Sequence, residues 1–143
     1  MITRKLGFVD LMTAVYSRLT SPGLTDSYSF YNHVPKGTAY PYHVIGKPMG
    51  IRSEEFTTRD TEAEDNVFQI DSWVDKTTGM GDKECAVRMD NITQVLTSSV
   101  LVIDDYNNIR FVLDYADIML DPENPELLLR HGILRFRVDM SPS

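Results

Sequence analysis

Apolar positions recur at two different periods along this chain, and each change of period marks a new element. Phe8, Met12, Val15 and Leu19 fall at helical spacing, with Val9 and Tyr16 widening the stripe. This predicts an amphipathic helix. Ser21-Pro22-Gly23 ends it, because proline disfavours helical geometry in the residue before it and glycine suits a C-cap. The same period returns in Cys85, Met89, Ile92 and Leu96, flanked by Ala86 and Val95. Asp82 is placed to cap this second helix, and Glu84 falls in its first turn.

Elsewhere the period is two. From Arg130 to Val138 the alternation is strict: Leu134, Phe136 and Val138 point one way and Ile133, Arg135 and Arg137 the other. A strand with one buried and one wet face is expected. Val67 to Val74 reads the same way, with Phe68 and Ile70 opposed to Val67 and Trp73. Tyr28 to Tyr31 suggests a short strand, and Pro41 to Lys47 a strand opened by proline, where a missing N–H does least harm. After the second helix come an apolar run, Val100 to Ile103, a turn at Asp104 to Asn108, and a strand from Ile109 to Met119. Asp121-Pro122-Glu123-Asn124-Pro125 turns the chain before the last strand. The expected fold class is α+β, a mainly antiparallel sheet with two helices on one face.

Residues 48–66 interrupt this regularity. Six acids (Glu54, Glu55, Asp60, Glu62, Glu64 and Asp65) accompany two arginines, and Ile51 and Phe56 stand out among its few apolar groups. Such a segment buries too little surface to offset its ordering entropy, so a long mobile loop or hairpin arm is expected. Ile51 and Phe56 are then candidate anchors for docking a partner.

Composition narrows the class. At 143 residues, 42% hydrophobic and 24% charged, the chain is expected to form a single domain, residues 1–143, with an ordinary core. Asp10, Tyr16 and Arg18 break up the N-terminal apolar stretch, so no export signal is expected, and no run is long enough to cross a bilayer. One cysteine, Cys85, excludes an internal disulfide and fits a reducing compartment. The net charge of −7 is uneven: residues 1–50 hold five Lys/Arg against two Asp/Glu, and residues 51–143 hold nine against nineteen. Such a chain is poorly suited to gripping nucleic acid phosphate. The acids of residues 104–126, among them Asp104, Asp105, Asp114, Asp117 and Asp121, would instead suit the lining of a passage that DNA slides through.

No arrangement of catalytic or metal-binding groups stands out. His33, His43 and His131 form no ligand pair, and His43 and His131 read as ordinary polar residues on strand faces. Cys85 falls on the apolar stripe of the second helix and reads as a small buried hydrophobe. Gly79-Met80-Gly81 lacks the third glycine of a dinucleotide turn and the lysine of a P-loop. Asp104 to Asn108 lacks the length and closing glutamate of an EF-hand. Asn91-Ile92-Thr93, a glycosylation triplet, includes a residue of the buried stripe. No enzyme activity and no cofactor are expected. Arg130, Arg135 and Arg137 remain as candidates for a contact between identical copies, because an acidic and a basic surface suit a head-to-tail interface.

Several of these segments carry a resemblance. In order they are the N-terminal amphipathic helix, Val34-Pro35, Pro41-Tyr42-His43-Val44-Ile45-Gly46, Phe68-Gln69-Ile70-Asp71-Ser72-Trp73, the second helix, and Arg130-His131-Gly132 leading into Leu134-Arg135-Phe136-Arg137. Together they are similar to the tail-completion (tail-terminator) proteins of long-tailed bacteriophages and their prophages. Two features depart from that pattern: the 48–66 segment is longer and more acidic, and Cys85 to Leu96 is not rich in alanine. The resemblance implies an α+β structural protein of the virion, assembled in the host bacterial cytoplasm. It implies a ring of identical copies, typically a hexamer, at the head-proximal end of the tail. There the ring would stop the tail tube protein from polymerising and meet the head connector or stopper protein, while DNA passes through unbound. A head-side adaptor ring and a small cytoplasmic ligand-binding α+β domain are the alternatives; the plainly apolar expected core disfavours the second.

Overall fold

The computed structural model describes residues 7–46, 49–52, 64–75, 81–99, 101–103, 106–122 and 128–142. The elements are α1 (Phe8–Thr20), β1 (Phe30–Tyr31), β2 (Tyr42–Ile45), β3 (Met49–Arg52), β4 (Glu64–Val74), α2 (Asp82–Thr97), β5 (Tyr106–Leu120) and β6 (Arg130–Pro142). The strands form one sheet in the order β1-β2-β4-β6-β5, and β3 pairs with β4 beyond the end of β2. Among the described residues only the β1–β2 pair is parallel. The fold is α+β, as the two periods require.

The 48–66 segment is less irregular than its composition implies. Met49–Arg52 pairs antiparallel with Glu64–Val67, so the two ends of the segment form a hairpin. Alternation is weak there, and nothing in the side-chain pattern announces β3; it exists because β4 offers it a free edge. Residues 53–63, including Phe56, lie outside the described residues, as do Asp104 and Asp105.

The core is built from alternating strand residues and one stripe of each helix. Because residues paired across a sheet share a face, Ile45, Ile70 and Leu134 fall together, as do Phe68 and Phe136. All are buried beneath α2, which supplies Cys85, Met89, Ile92 and Leu96. In α1 the buried residues are Leu11, Val15 and Leu19; Val9 and Tyr16 are exposed and do not extend the stripe. The buried stripe is centred on Val15, with Leu11 and Leu19 about 40° to either side, whereas Val9 and Tyr16 lie roughly 100° or more away and turn to solvent. Two further contacts join α1 to its surroundings. Arg18 Nη1 donates to the Ser99 carbonyl at 2.9 Å, placing a cation just past the carbonyl end of α2. Thr25 Oγ1 donates to the Leu19 carbonyl at 2.8 Å and satisfies the end of α1.

Asp82 does not cap α2. Gly81, with φ of 55°, occupies the N-cap position without a side-chain bond, and Asp82 is the first helical residue. Its carboxylate instead accepts from Arg130 Nε at 2.5 Å. That ion pair fixes the start of α2 over the start of β6.

His43, expected on an open strand face, is completely buried between sheet and helix. Its Nε2 lies 3.3 Å from Arg88 Nη1, and its Nδ1 lies 2.8 Å from Ser72 Oγ. Arginine can only donate, so Nε2 must accept, and Nδ1–H donates to the serine. Arg88 also donates to Glu84 at 2.8 Å and lies 4.4 Å over the Tyr28 ring; Asn91 donates to the Tyr28 hydroxyl at 2.8 Å. Burial, and secondly the Arg88 cation, lower the His43 pKa to about 3.

Gly132 sets how closely α2 approaches. A methyl group there would lie 2.7 Å from Cys85 Sγ and 2.7 Å from Met89 Sδ. Gly132→Ala should therefore cost about 1–3 kcal/mol by overpacking, read as a lowered denaturant midpoint. Adding Cys85→Ala to that variant should recover part of the loss; no recovery would place the cost elsewhere.

A pH dependence follows from His43. Its folded pKa lies below the unfolded value of 6.5, so below pH 6.5 the unfolded state takes up a proton that the fold refuses. Stability contributed by the neutral ring is full above 6.5 and falls with pH, at up to about 1.4 kcal/mol per unit, until about pH 3. In His43→Gln the slope between pH 6.5 and 4 should be shallower than in the parent chain; equal slopes would show that His43 titrates normally.

Candidate functional site

Both helices lie on one face of the sheet, and the other face carries no described element. Strand register arranges its side chains in rows. Tyr42, Trp73, His131 and Met119 are successive cross-strand partners over β2, β4, β6 and β5. The next rows are Val44, Asp71, Ile133 and Asp117, then Gln69, Arg135 and Tyr115, then Val67, Arg137 and Val112. One end of the face is thus aromatic and the other carries guanidinium groups.

At the aromatic end the Trp73 and His131 rings stack at 3.9 Å with 9° between planes. His131 Nε2 lies 2.7 Å from Asp71 Oδ1, which holds the imidazole flat on the indole. Tyr40 stacks on Tyr42 at 5.2 Å, and Tyr31 meets Tyr42 edge-on at 6.3 Å. Partial burial, and then the neighbouring Tyr40, raise the Tyr42 pKa, so its hydroxyl remains a neutral donor. Ile133, expected on a wet face, is buried: it is at the middle of the sheet, walled in by neighbouring strands on both sides.

At the other end Arg135 Nη2 donates to Gln69 Oε1 at 3.1 Å, and its guanidinium lies 5.3 Å from the centre of the Tyr115 ring. Tyr115 donates to Asp117 Oδ2 at 3.1 Å, and that bond to a carboxylate raises its pKa. Arg137 is exposed between Val67 and Val112. These contacts hold long side chains extended over the sheet at little further entropy cost on binding. Trp, Tyr and Arg are also the residues that anchor protein contacts. The chemistry offered is that of a protein-binding surface.

The structure separates the three candidate arginines. Arg135 and Arg137 share the helix-free face, whereas Arg130 lies on the opposite face, held by Asp82 and by the Leu128 carbonyl, to which its Nη1 donates at 2.7 Å. Of the candidate acids, Asp114 and Asp117 are exposed on β5 and Asp121 directly follows it. Ile51 belongs to β3. Cys85 is buried, and burial first, then Asp82, push its thiol up to about 11, far from a reactive thiolate. The Trp73–His131–Asp71 group was not singled out from the sequence, although alternation already put Trp73 on the side away from Phe68 and Ile70.

Comparison with known proteins agrees with this architecture. No curated protein matches the chain. Among solved structures, a chain of the "Virion of native gene transfer agent (GTA) particle" has the same fold, with a TM-score of 0.69 and 15% identity over 94% of this chain and 96% of that one. The sequence pattern of the family described as "Tail completion protein gp17" matches residues 13–141, from the middle of α1 through β6. Covering most of the chain, that match establishes that the chain belongs to the tail completion protein gp17 family.

Proposed function

We propose that this chain is a structural protein of the phage virion that acts as a ring at the head-proximal end of the tail. In this role copies of the chain stop polymerisation of the tail tube protein and present a surface to the head connector or stopper protein. The observation that carries the reading is the helix-free sheet face, lined with ordered aromatic and guanidinium groups, in a member of a tail completion family. The likeness to a chain of a virion particle supports it. The role is one of assembly, for which the aromatic and guanidinium groups spread over an open sheet face are suited.

Arg135 and Arg137 are the contact groups on this face, set one strand in from the outer strand β5. Arg130, tied to Asp82, acts by holding α2 in place and contributes to the contact only indirectly. Ile51 and Phe56 remain the proposed anchors on the tube or connector. Acids of residues 104–126, such as Asp121 just past β5, keep DNA phosphate from adhering as it passes.

Reversing both arginines (Arg135→Glu with Arg137→Glu) should leave secondary structure and unfolding midpoint nearly unchanged while blocking tail completion. Losing a charge-assisted contact costs about 1.5–3 kcal/mol, a weakening of tenfold or more per subunit. Electron microscopy of infected-cell lysates should show unjoined heads and tails of irregular length. Normal tails would remove the arginines from the contact, and full heads lacking only the connector end would move the protein to the head side. Separately, the purified chain should show no tight, salt-sensitive binding to duplex DNA; such binding would contradict a repelling passage.

A further inference from the structure

The outer strand β5 is built unlike a protected edge. β6 pairs with one of its sides from Tyr106 to Leu120, and no described strand pairs with the other. A row of edge N–H and C=O groups is a template for another strand, and proteins blunt it with a short strand, lysine, other charges, proline or β-bulges, of which β5 uses only a few charges and two irregularities. β5 has fifteen residues, with neither lysine nor proline. Apolar side chains on both its flanks (Val112, Leu113, Tyr115, Met119 and Leu120) are 37–52% exposed. The irregularity between Leu113 and Tyr115 is its only interruption among the described residues other than that at Asn107 and Arg110.

The other side of the sheet ends in the short strands β1 and β3, and the segments of sequence that contain the two edges are opposite in charge. Residues 30–52 contain Lys36, Lys47 and Arg52 and no carboxylate, whereas residues 104–126 contain seven Asp/Glu against Arg110 alone. We infer that the β5 edge docks onto the β1–β3 edge of a second copy of this chain, so that the sheet continues from subunit to subunit. Main-chain hydrogen bonds along β5 supply affinity. Charge supplies direction, since two acidic β5 edges repel one another and only opposite edges attract. Joining opposite edges is a head-to-tail contact, the kind that generates a closed ring. The inference rests on the ring reading above and specifies its interface. Asp114 and Asp117 then face a neighbour, and the remaining acids of 104–126 are left for the passage.

A charge swap between full-length variants tests it. The first carries Asp114→Lys and Asp117→Lys, the second Lys36→Glu and Arg52→Glu. In phage-producing cells supplied with either variant as the sole copy, like charges meet at every junction, and infectious yield should fall about tenfold or more. Supplying both together should restore it, because the two variants can alternate around the ring; so should one chain carrying all four changes. Circular dichroism of each purified variant checks that the fold is kept. Normal yield from each variant alone would overturn the inference. So would two defects that co-expression and the four-site chain both fail to repair, the outcome expected if a segment of another tail protein covers β5. Wild-type tails bearing a single copy of the chain at their end would instead remove the ring reading itself.

Discussion

The close contact between α2 and β6 at Gly132 is the constraint on which the rest of the structure depends. With no Cβ at that point, Cys85 and Met89 reach the backbone of the interior strand β6, and the helix can lie low enough for Ile92 and Leu96 to be buried. The same approach brings Arg88 down to His43 and Asp82 down to Arg130. Raise the helix by the width of a methyl group and both polar contacts lengthen along with the apolar ones. A single glycine therefore couples close packing to the placement of charge.

Much of this was legible in the sequence, for identifiable reasons. Long elements with one buried face repeat their pattern several times, so α2 and β6 stand out, and the inward turn of Leu134, Phe136 and Val138 follows directly from alternation. Short elements carry too little pattern: β3, within an acidic stretch, is recognised only through its pairing with β4. Alternation also places Arg130 with Leu134 and Phe136, on the helix side, although residue type alone groups it with Arg135 and Arg137. Periodicity gives no access to the burial of His43. A lone histidine in a strand looks alike whether it meets water or an arginine from a helix forty-five positions away.

The two faces of the sheet use polar groups for different ends. On the helix side His43, Ser72, Arg88, Glu84, Tyr28 and Asn91 satisfy one another, and their donor and acceptor pattern admits one arrangement of helix on sheet. On the open side Asp71 orients His131, and Gln69 and Tyr115 brace Arg135, while each side chain keeps some surface. One network specifies the fold and the other preorganises a surface. A family that varies its partners is expected to keep the first while changing the second.

The position of β6 between β4 and β5 has a consequence for synthesis. During translation both neighbours emerge before the strand that joins them, so the nascent chain holds β5 and the rest of the sheet with nothing between them. The β4–β6 pairing joins residues 56 to 76 positions apart and forms slowly, since loop closure precedes any reward. Until residues 130–142 clear the ribosome, β5 lacks its described partner and α2 lacks the glycine on which it rests. A truncated product therefore lacks both the described partner of β5 and the surface on which α2 packs, so the strand order makes closure of the sheet the last step of synthesis.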